Sequence, residues 1–546
     1  MPQMTGGHAV VRALQAEGVE VVFGLPGVQI MHIYDGFFDA PNIRVITCRH
    51  EQTTVYMADG YARSTGKIGV ALVVPGPGAY NAGAAMSTAY AASSPVLLIS
   101  GQIDSQSIGK DFGALHEIQD QLEFMKPVVK WNDLVTRAES IPEAIHTAIE
   151  QLKIGRPRPV ELEIPPDTLG TMADIDLVEP EEYSTAEADA TSIRSAAEAL
   201  ANAKRPVIWA GGGVIAANAA SELTALAEAL NAPVITTQEG KGAIPESHPL
   251  SMGVSAYGWG VGGDLIPQSD VVIAVGSRLG SYRPEPGSQP TADQTLINLN
   301  IDATEIDKTL ASTVGLVTDA KVGLRQIGAA LQGRKLESSW TANELTSVRT
   351  AAADRMVALA PTQTAIIKDI RNAIPEDGFV VGGITNLGAW SSIAFDVLKP
   401  RTFITSSYMG TLGYAFPTSL GVKVGNPDKA VVALCGDGGF MYAIGELATA
   451  VQYGINAVAV VFNNHRFGAS NRDQHLRFGG RNVGTELLTP DFVKLADSFG
   501  ALGIKVDRLE DSPNAIETAI AANRPAVIEV EMPPDLDPPY YLNPRG

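Results

Sequence analysis

Val431-Val-Ala-Leu-Cys-Gly-Asp-Gly-Gly439 decides the fold. Its apolar run is too short for a buried helix, and it stops at a glycine-rich turn from which a helix is expected over 440–453. Comparable runs at 70–74, 96–99, 207–209, 271–275 and 457–462 alternate with longer Ala-rich stretches. Such runs are strands buried on both faces, as parallel sheets require. Two more of them end in Pro75-Gly-Pro-Gly78 and Gly211-Gly-Gly213, at the strand ends where open α/β sheets place ligands. The fold class is therefore α/β, built of doubly wound parallel sheets.

At 546 residues the chain exceeds one ordinary core. An internal echo places the boundaries: Arg156-Pro-Arg-Pro-Val-Glu-Leu-Glu-Ile-Pro-Pro-Asp167 returns as Arg524-Pro-Ala-Val-Ile-Glu-Val-Glu-Met-Pro-Pro-Asp535. Two domains close on the same kind of strand, which prolines then end. The expected division is a first domain over 1–170, an acidic, strand-poor connector over 171–190, a middle Rossmann-like domain over 191–332, a polar helical connector over 333–360, and a third domain over 361–546.

The formal charge of -20 opposes wrapping nucleic acid or docking on anionic lipid, so a small molecule is the expected ligand. An anionic ligand then needs local N–H groups, cations or a metal. Cys48 and Cys435 are the only cysteines, too few and too far apart for a disulfide framework. The stretch 1–18 reads as an amphipathic helix and no apolar run reaches membrane-spanning length. Cytoplasmic is the expected location.

Gly436-Asp437-Gly438 is followed, twenty-four residues later, by Asn463-Asn464, each after an apolar strand. Magnesium takes oxygen ligands in near-octahedral geometry, few of them from protein. Asp437 and the Asn464 side-chain oxygen suit that need, while Gly438 and Gly439 bring free N–H groups close to a diphosphate. Either piece alone reads as a strand-to-helix turn, and the pair at this spacing favours a site. A second signal is Arg49-His50-Glu51-Gln52, after an expected strand at 45–47. A lone glutamate opening a helix is ordinarily a dipole partner. The strand before it and Gly76-Pro-Gly78 after it favour catalysis.

These motifs resemble those of thiamine-diphosphate-dependent enzymes, in the acetolactate-synthase-like branch of the 2-oxo acid decarboxylases and carboligases. The match covers almost the whole chain, as pyrimidine-binding, middle and diphosphate-binding domains. Branch phrases include Gly101-Gln102, Gly445-Glu-Leu-Ala-Thr449 and Thr489-Pro-Asp-Phe492. The resemblance implies that Glu51 trades a proton with the coenzyme's aminopyrimidine ring. It gives magnesium to Asp437, Asn464 and the carbonyl of Arg466. In Met409-Gly-Thr-Leu-Gly413, the Gly410 carbonyl would hold the exocyclic amine and Leu412 would wedge beneath the coenzyme. Pro26, Gly76, Asn81, Gly383, Thr385, Gly436, Gly438, Gly439, Phe467 and Gly468 complete the implied cofactor lining. A homodimer or homotetramer is implied, with Glu51 of one subunit meeting the diphosphate site of another.

Around the reacting carbon, Val28 would present an apolar wall, and His116 would shuttle a proton or donate to an oxyanion. Gln102 and Tyr80 would orient substrate or water, and His50 and His465 have no assigned role. The chain departs from acetolactate synthases at Phe467-Gly-Ala-Ser-Asn-Arg-Asp-Gln474, where Arg472 and Asp473 are expected to make the second-substrate pocket smaller and more polar. Gly211-Gly-Gly213 loosely fits a dinucleotide fingerprint, but the flavin loops are altered at 248–254 and at Tyr282, so no FAD is expected. The expected activity is a carbon–carbon lyase or ligase acting on 2-oxo acids or related ketones. The alternatives are a flavin-dependent 2-oxo acid oxidase and a relative cleaving cyclic diketones or ketols.

Overall fold

The strand Val431–Gly436 and its neighbours Phe379–Gly382 and Val458–Asn463 are buried almost along their full length, as their continuous apolar sequences demand. The computed structural model describes residues 2–280, 287–533 and 536–542. Its strands form three six-stranded parallel sheets, one for each of three α/β domains. Tyr282, and Pro534 and Asp535 at the end of the second echo, lie outside the described residues.

The first sheet comprises Val21–Gly24, Arg44–Thr47, Gly69–Val73, Val96–Gly101, Trp131–Leu134 and Val160–Ile164. Numbered in chain order, these lie 2-1-3-4-6-5. The third sheet runs through Phe379–Gly382, Phe403–Thr405, Val431–Gly436, Val458–Asn463, Leu502–Val506 and Ala526–Glu531, with the same 2-1-3-4-6-5 order. The echoed segments supply the sixth strand of each, Val160–Ile164 and Ala526–Glu531. The middle sheet, of Pro206–Ala210, Val234–Thr236, Ser251–Val254, Val271–Val275, Thr295–Asn300 and Val314–Val317, has the order 3-2-1-4-5-6, that of the dinucleotide-binding folds.

A shared core joins the first and third domains. The helices Glu51–Thr65 and Ala415–Gly425 lie back to back between the two sheets, in one continuous set of buried apolar residues. Glu51–Thr65 is buried nearly all round, from Thr53 to Ala62, which is why it lacks the one-sided apolar stripe of a surface helix. The two helices meet at backbone distance: a methyl added at Gly60 would strike the Thr418 carbonyl, and one at Gly421 the Met57 carbonyl.

Three local expectations need correction. The chain opens with a short strand, Gln3–Thr5, before the helix Gly6–Ala16. That strand pairs antiparallel with Met172–Asp174, a short strand within the strand-poor first connector. The helix expected over 440–453 is two helices, Asp437–Met441 and Glu446–Tyr453, and the break lets Glu446 turn inward. In the second connector, the helix Ala342–Leu359 packs on the middle domain, whose core includes Trp340, Leu345 and Ala352. None of the helices among the described residues is long and apolar enough to cross a membrane.

Candidate active site

Two sets of side chains gather at the carboxyl ends of the first and third sheets. In the first set, Glu51 opens its helix, and His50 caps it by accepting the Gln52 N–H on Nδ1 at 3.2 Å. Glu51 is half-buried, and its Oε2 accepts from the Asn81 amide at 3.0 Å. A methyl added at Gly78 would meet Glu51 Cγ at 3.7 Å. Gly76, at φ +57°, lies against the His116 carbonyl, leaving no room for a side chain. Gln29, beside Val28, donates to the Leu115 carbonyl at 3.2 Å. Val28, Glu51, Gly76, Asn81 and His116 are thus brought together, with Pro26 exposed next to them.

Val28 is 71% exposed. His116 holds a left-handed backbone at φ +71°, and its Nδ1 is buried with no hydrogen-bond partner among the described residues. Tyr80 is exposed and packs edge-on to Phe124. Gln102 is turned inward, a correction to its expected role: its amide donates to Glu163 at 2.8 Å and its oxygen accepts the Ile103 N–H at 2.7 Å.

Sequence reading missed Gln121, whose Oε1 accepts the Gly76 N–H at 2.8 Å while its Nε2 donates to Ser100 and to the Gly101 carbonyl. Beneath this layer lie two buried carboxylates on one strand face, Glu161 and Glu163. Burial, then Glu163's charge, pushes Glu161 well above the carboxylate range, and burial moves Glu163 to about 7.

In the second set, Asp437 is buried and opens the helix Asp437–Met441. A methyl at Gly436 would stand 3.3 Å from Thr385, one at Gly438 would strike the Phe467 ring, and one at Gly468 would reach the Asn464 amide at 2.9 Å. Thr385, Gly436, Asp437, Gly438, Asn464, Phe467 and Gly468 are therefore contiguous. Gly383, Leu412, Gly436 and Gly439 line a cleft here, and Gly410 is exposed at φ +62°. The helix at Asp437 is only five residues long, so any contact to an anion here falls to individual N–H groups rather than to a helix dipole.

Asp437 Oδ2 is buried without a hydrogen-bond partner among the described residues. Burial pushes this carboxyl up, against N–H donors at Gly438 and Arg466 that pull it down. An orphaned buried carboxylate oxygen calls for a cation. One carboxylate, one amide oxygen and one backbone carbonyl make an all-oxygen donor set suited to magnesium. The residues present therefore fit the metal. No hydrogen bond or ion pair among the described residues joins a side chain of the first set to one of the second.

Family models match all three domains: the thiamine pyrophosphate enzyme N-terminal TPP binding domain over residues 4–125, the central domain over 193–327, and the C-terminal TPP binding domain over 383–530. The chain belongs to the thiamine pyrophosphate enzymes. It is 35% identical to a probable acetolactate synthase large subunit of Methanocaldococcus jannaschii, over 97% of this chain and 92% of the relative. The acetolactate synthase isozyme 3 large subunit of Escherichia coli is 32% identical over 95% and 93%. A probable 2-ketoarginine decarboxylase of Pseudomonas aeruginosa is 35% identical over 96% and 94%.

Within this thiamine pyrophosphate enzyme, Arg472 and Asp473 lie on a helix, Gly468–Arg477. Arg472 is clamped by Asp537 at 2.8 and 2.9 Å, and Asp473 pairs with Arg477 at 2.8 Å. Both charges are matched within the protein. A separate cavity of about 1460 Å³ opens between the domains, lined by Gly211, Gly213, Glu239, Arg278 and Arg401 among others. Arg63, on the Glu51 helix, reaches its wall and pairs with Glu239 at 2.7 Å.

Proposed function

We propose that this enzyme uses thiamine diphosphate and magnesium to make or break the carbon–carbon bond beside the carbonyl of a 2-oxo acid or related ketone. The observation that carries this reading is the buried, unpartnered Asp437 oxygen with Asn464 and Arg466 beside it, at a sheet end opposite in role to the one bearing Glu51. When bound, the coenzyme supplies a carbon nucleophile that can hold the electron pair of the broken bond.

The chain's own residues bind, orient and move protons. Asp437, the Asn464 oxygen and the Arg466 carbonyl would hold magnesium, and the N–H groups of Gly438 and Gly439 would face the diphosphate. Asn81 fixes one oxygen of Glu51 at 3.0 Å, and Oε1 would be the atom that gives or takes a proton beside the bound coenzyme. His116 would give or take a proton, a role supported by its unpartnered Nδ1 among the described residues, and Val28 would keep water from that side. A synthase and a decarboxylase among the relatives keep both outcomes open, acyloin formation and release after decarboxylation.

Exposed apolar residues surround both half-sites, Phe112 and Leu115 on one and Ile384, Tyr408, Met409 and Tyr442 on the other. That distribution supports a homodimer or homotetramer in which each half-site closes on the complementary one of another copy. To test the function, the purified protein is incubated with thiamine diphosphate, magnesium and a panel of 2-oxo acids, with and without aldehydes, and products are identified by mass. Hydroxyketones mark a ligase and free aldehyde a decarboxylase. No product and no cofactor uptake by calorimetry would refute the reading.

The interdomain cavity favours one second reading, a flavin-dependent 2-oxo acid oxidase, because its volume and its glycine turn suit a dinucleotide. A yellow protein that consumes oxygen with substrate would support it.

A further inference from the structure

Glu446 belongs to neither half-site, yet it is 1% exposed, and among the described residues its side chain bonds only to the approach to Glu51 and to its own helix. Its Oε1 accepts the backbone N–H of Arg49 at 2.8 Å and the Thr53 hydroxyl at 2.5 Å. Its Oε2 accepts the Thr449 hydroxyl at 2.6 Å. Arg49 and Thr53 stand two residues either side of Glu51. The rest of the Glu446–Tyr453 helix grips the same segment: Thr449 donates to the Thr47 carbonyl at 3.3 Å, Gln452 accepts from the Arg49 guanidinium, and the Tyr453 hydroxyl accepts the Thr47 N–H at 3.0 Å.

The first strand-to-helix junction needs such help. The strand ends at Thr47 and the helix starts at Glu51, so the N–H of Arg49 has neither a ladder nor a helical acceptor. A buried carboxylate is the strong answer to that need. It comes from the third domain, just past the break that follows the Asp437 helix.

We propose that Glu446 is a positioning residue for Glu51, so that the diphosphate-binding domain of each chain sets where that chain's own activating carboxylate stands. The inference rests on the reading of Glu51 given above. It predicts that removing Glu446 misplaces Glu51 without emptying the cofactor site.

Glu446→Ala, Glu446→Gln, Thr53→Ala and Glu51→Gln are compared in the full chain. In cofactor-free protein, amide hydrogen exchange over residues 47–54, read by mass spectrometry, should quicken about tenfold in Glu446→Ala. In protein loaded with thiamine diphosphate and magnesium, deuterium uptake at the thiazolium C2 should slow about 100-fold, while the cofactor Kd moves less than about threefold. Glu446→Gln, which keeps an acceptor for Arg49, should recover most of both effects, a rescue that mere loss of packing would not produce. If Glu446→Ala does not fold, Thr53→Ala carries the test, with C2 exchange slowed several-fold at unchanged Kd. Wild-type C2 exchange in the folded variant, with Glu51→Gln inactive in the same assay, overturns the positioning role and leaves the function standing. Full C2 exchange in Glu51→Gln overturns the function itself.

Discussion

At the residue scale, the two half-sites divide the chemistry. Glu51→Gln removes a proton carrier but no metal or phosphate contact, so turnover should fall by about 10²- to 10⁴-fold while calorimetry still registers cofactor binding. Asp437→Ala should do the opposite, abolishing magnesium-dependent uptake. The inward Glu163 predicts a pH effect on stability. Its folded value near 7 lies above its ordinary 4.5, so between those values the folded state binds the extra proton and stability falls as pH rises. Thermal melts should show a lower midpoint at about pH 8 than at about pH 6, with a smaller difference in Glu163→Gln. The places of Asp437 and Asn464 were legible, because each follows the end of an apolar strand. Gln102 was misread and Gln121 and Glu446 passed over, because which way an amide or carboxylate turns depends on partners far along the chain, 397 positions away for Arg49 and Glu446.

At the scale of elements, the strands were readable because burial on both faces leaves no polar alternation to confuse. The single helix expected over 440–453 was wrong for a tertiary reason: a buried acceptor was needed at Glu446, and the chain interrupts its helix to supply it. The contact between the helices Glu51–Thr65 and Ala415–Gly425 was not legible in the sequence. Their contact predicts that Gly421→Ala, which pushes a methyl at the Met57 carbonyl, costs about 1–3 kcal/mol. Denaturant unfolding measures it, and Gly328→Ala, with open space around it, serves as the control.

For the whole molecule, the repeated Arg-Pro and Glu-x-Glu phrases pointed to two domains with one plan, and the identical strand orders agree. What sequence could not convey was how the domains stack, since the core between the first and third sheets is assembled from segments hundreds of residues apart. The large interdomain cavity was equally out of reach, because its walls come from all three domains.

The common wiring of the first and third domains has a further meaning. Their sixth strands carry glutamates at matching places, Glu161 and Glu163 in one, Glu529 and Glu531 in the other. In the third domain these acids have found basic or amide company, Glu529 with Asn463 and Lys505, Glu531 with His465. In the first they face each other's charge with only neutral donors nearby. A duplicated blueprint has thus been turned to two trades: one copy steadies the asparagine turn proposed above to hold magnesium, and its sibling keeps a dry, proton-holding floor under the loops around Glu51.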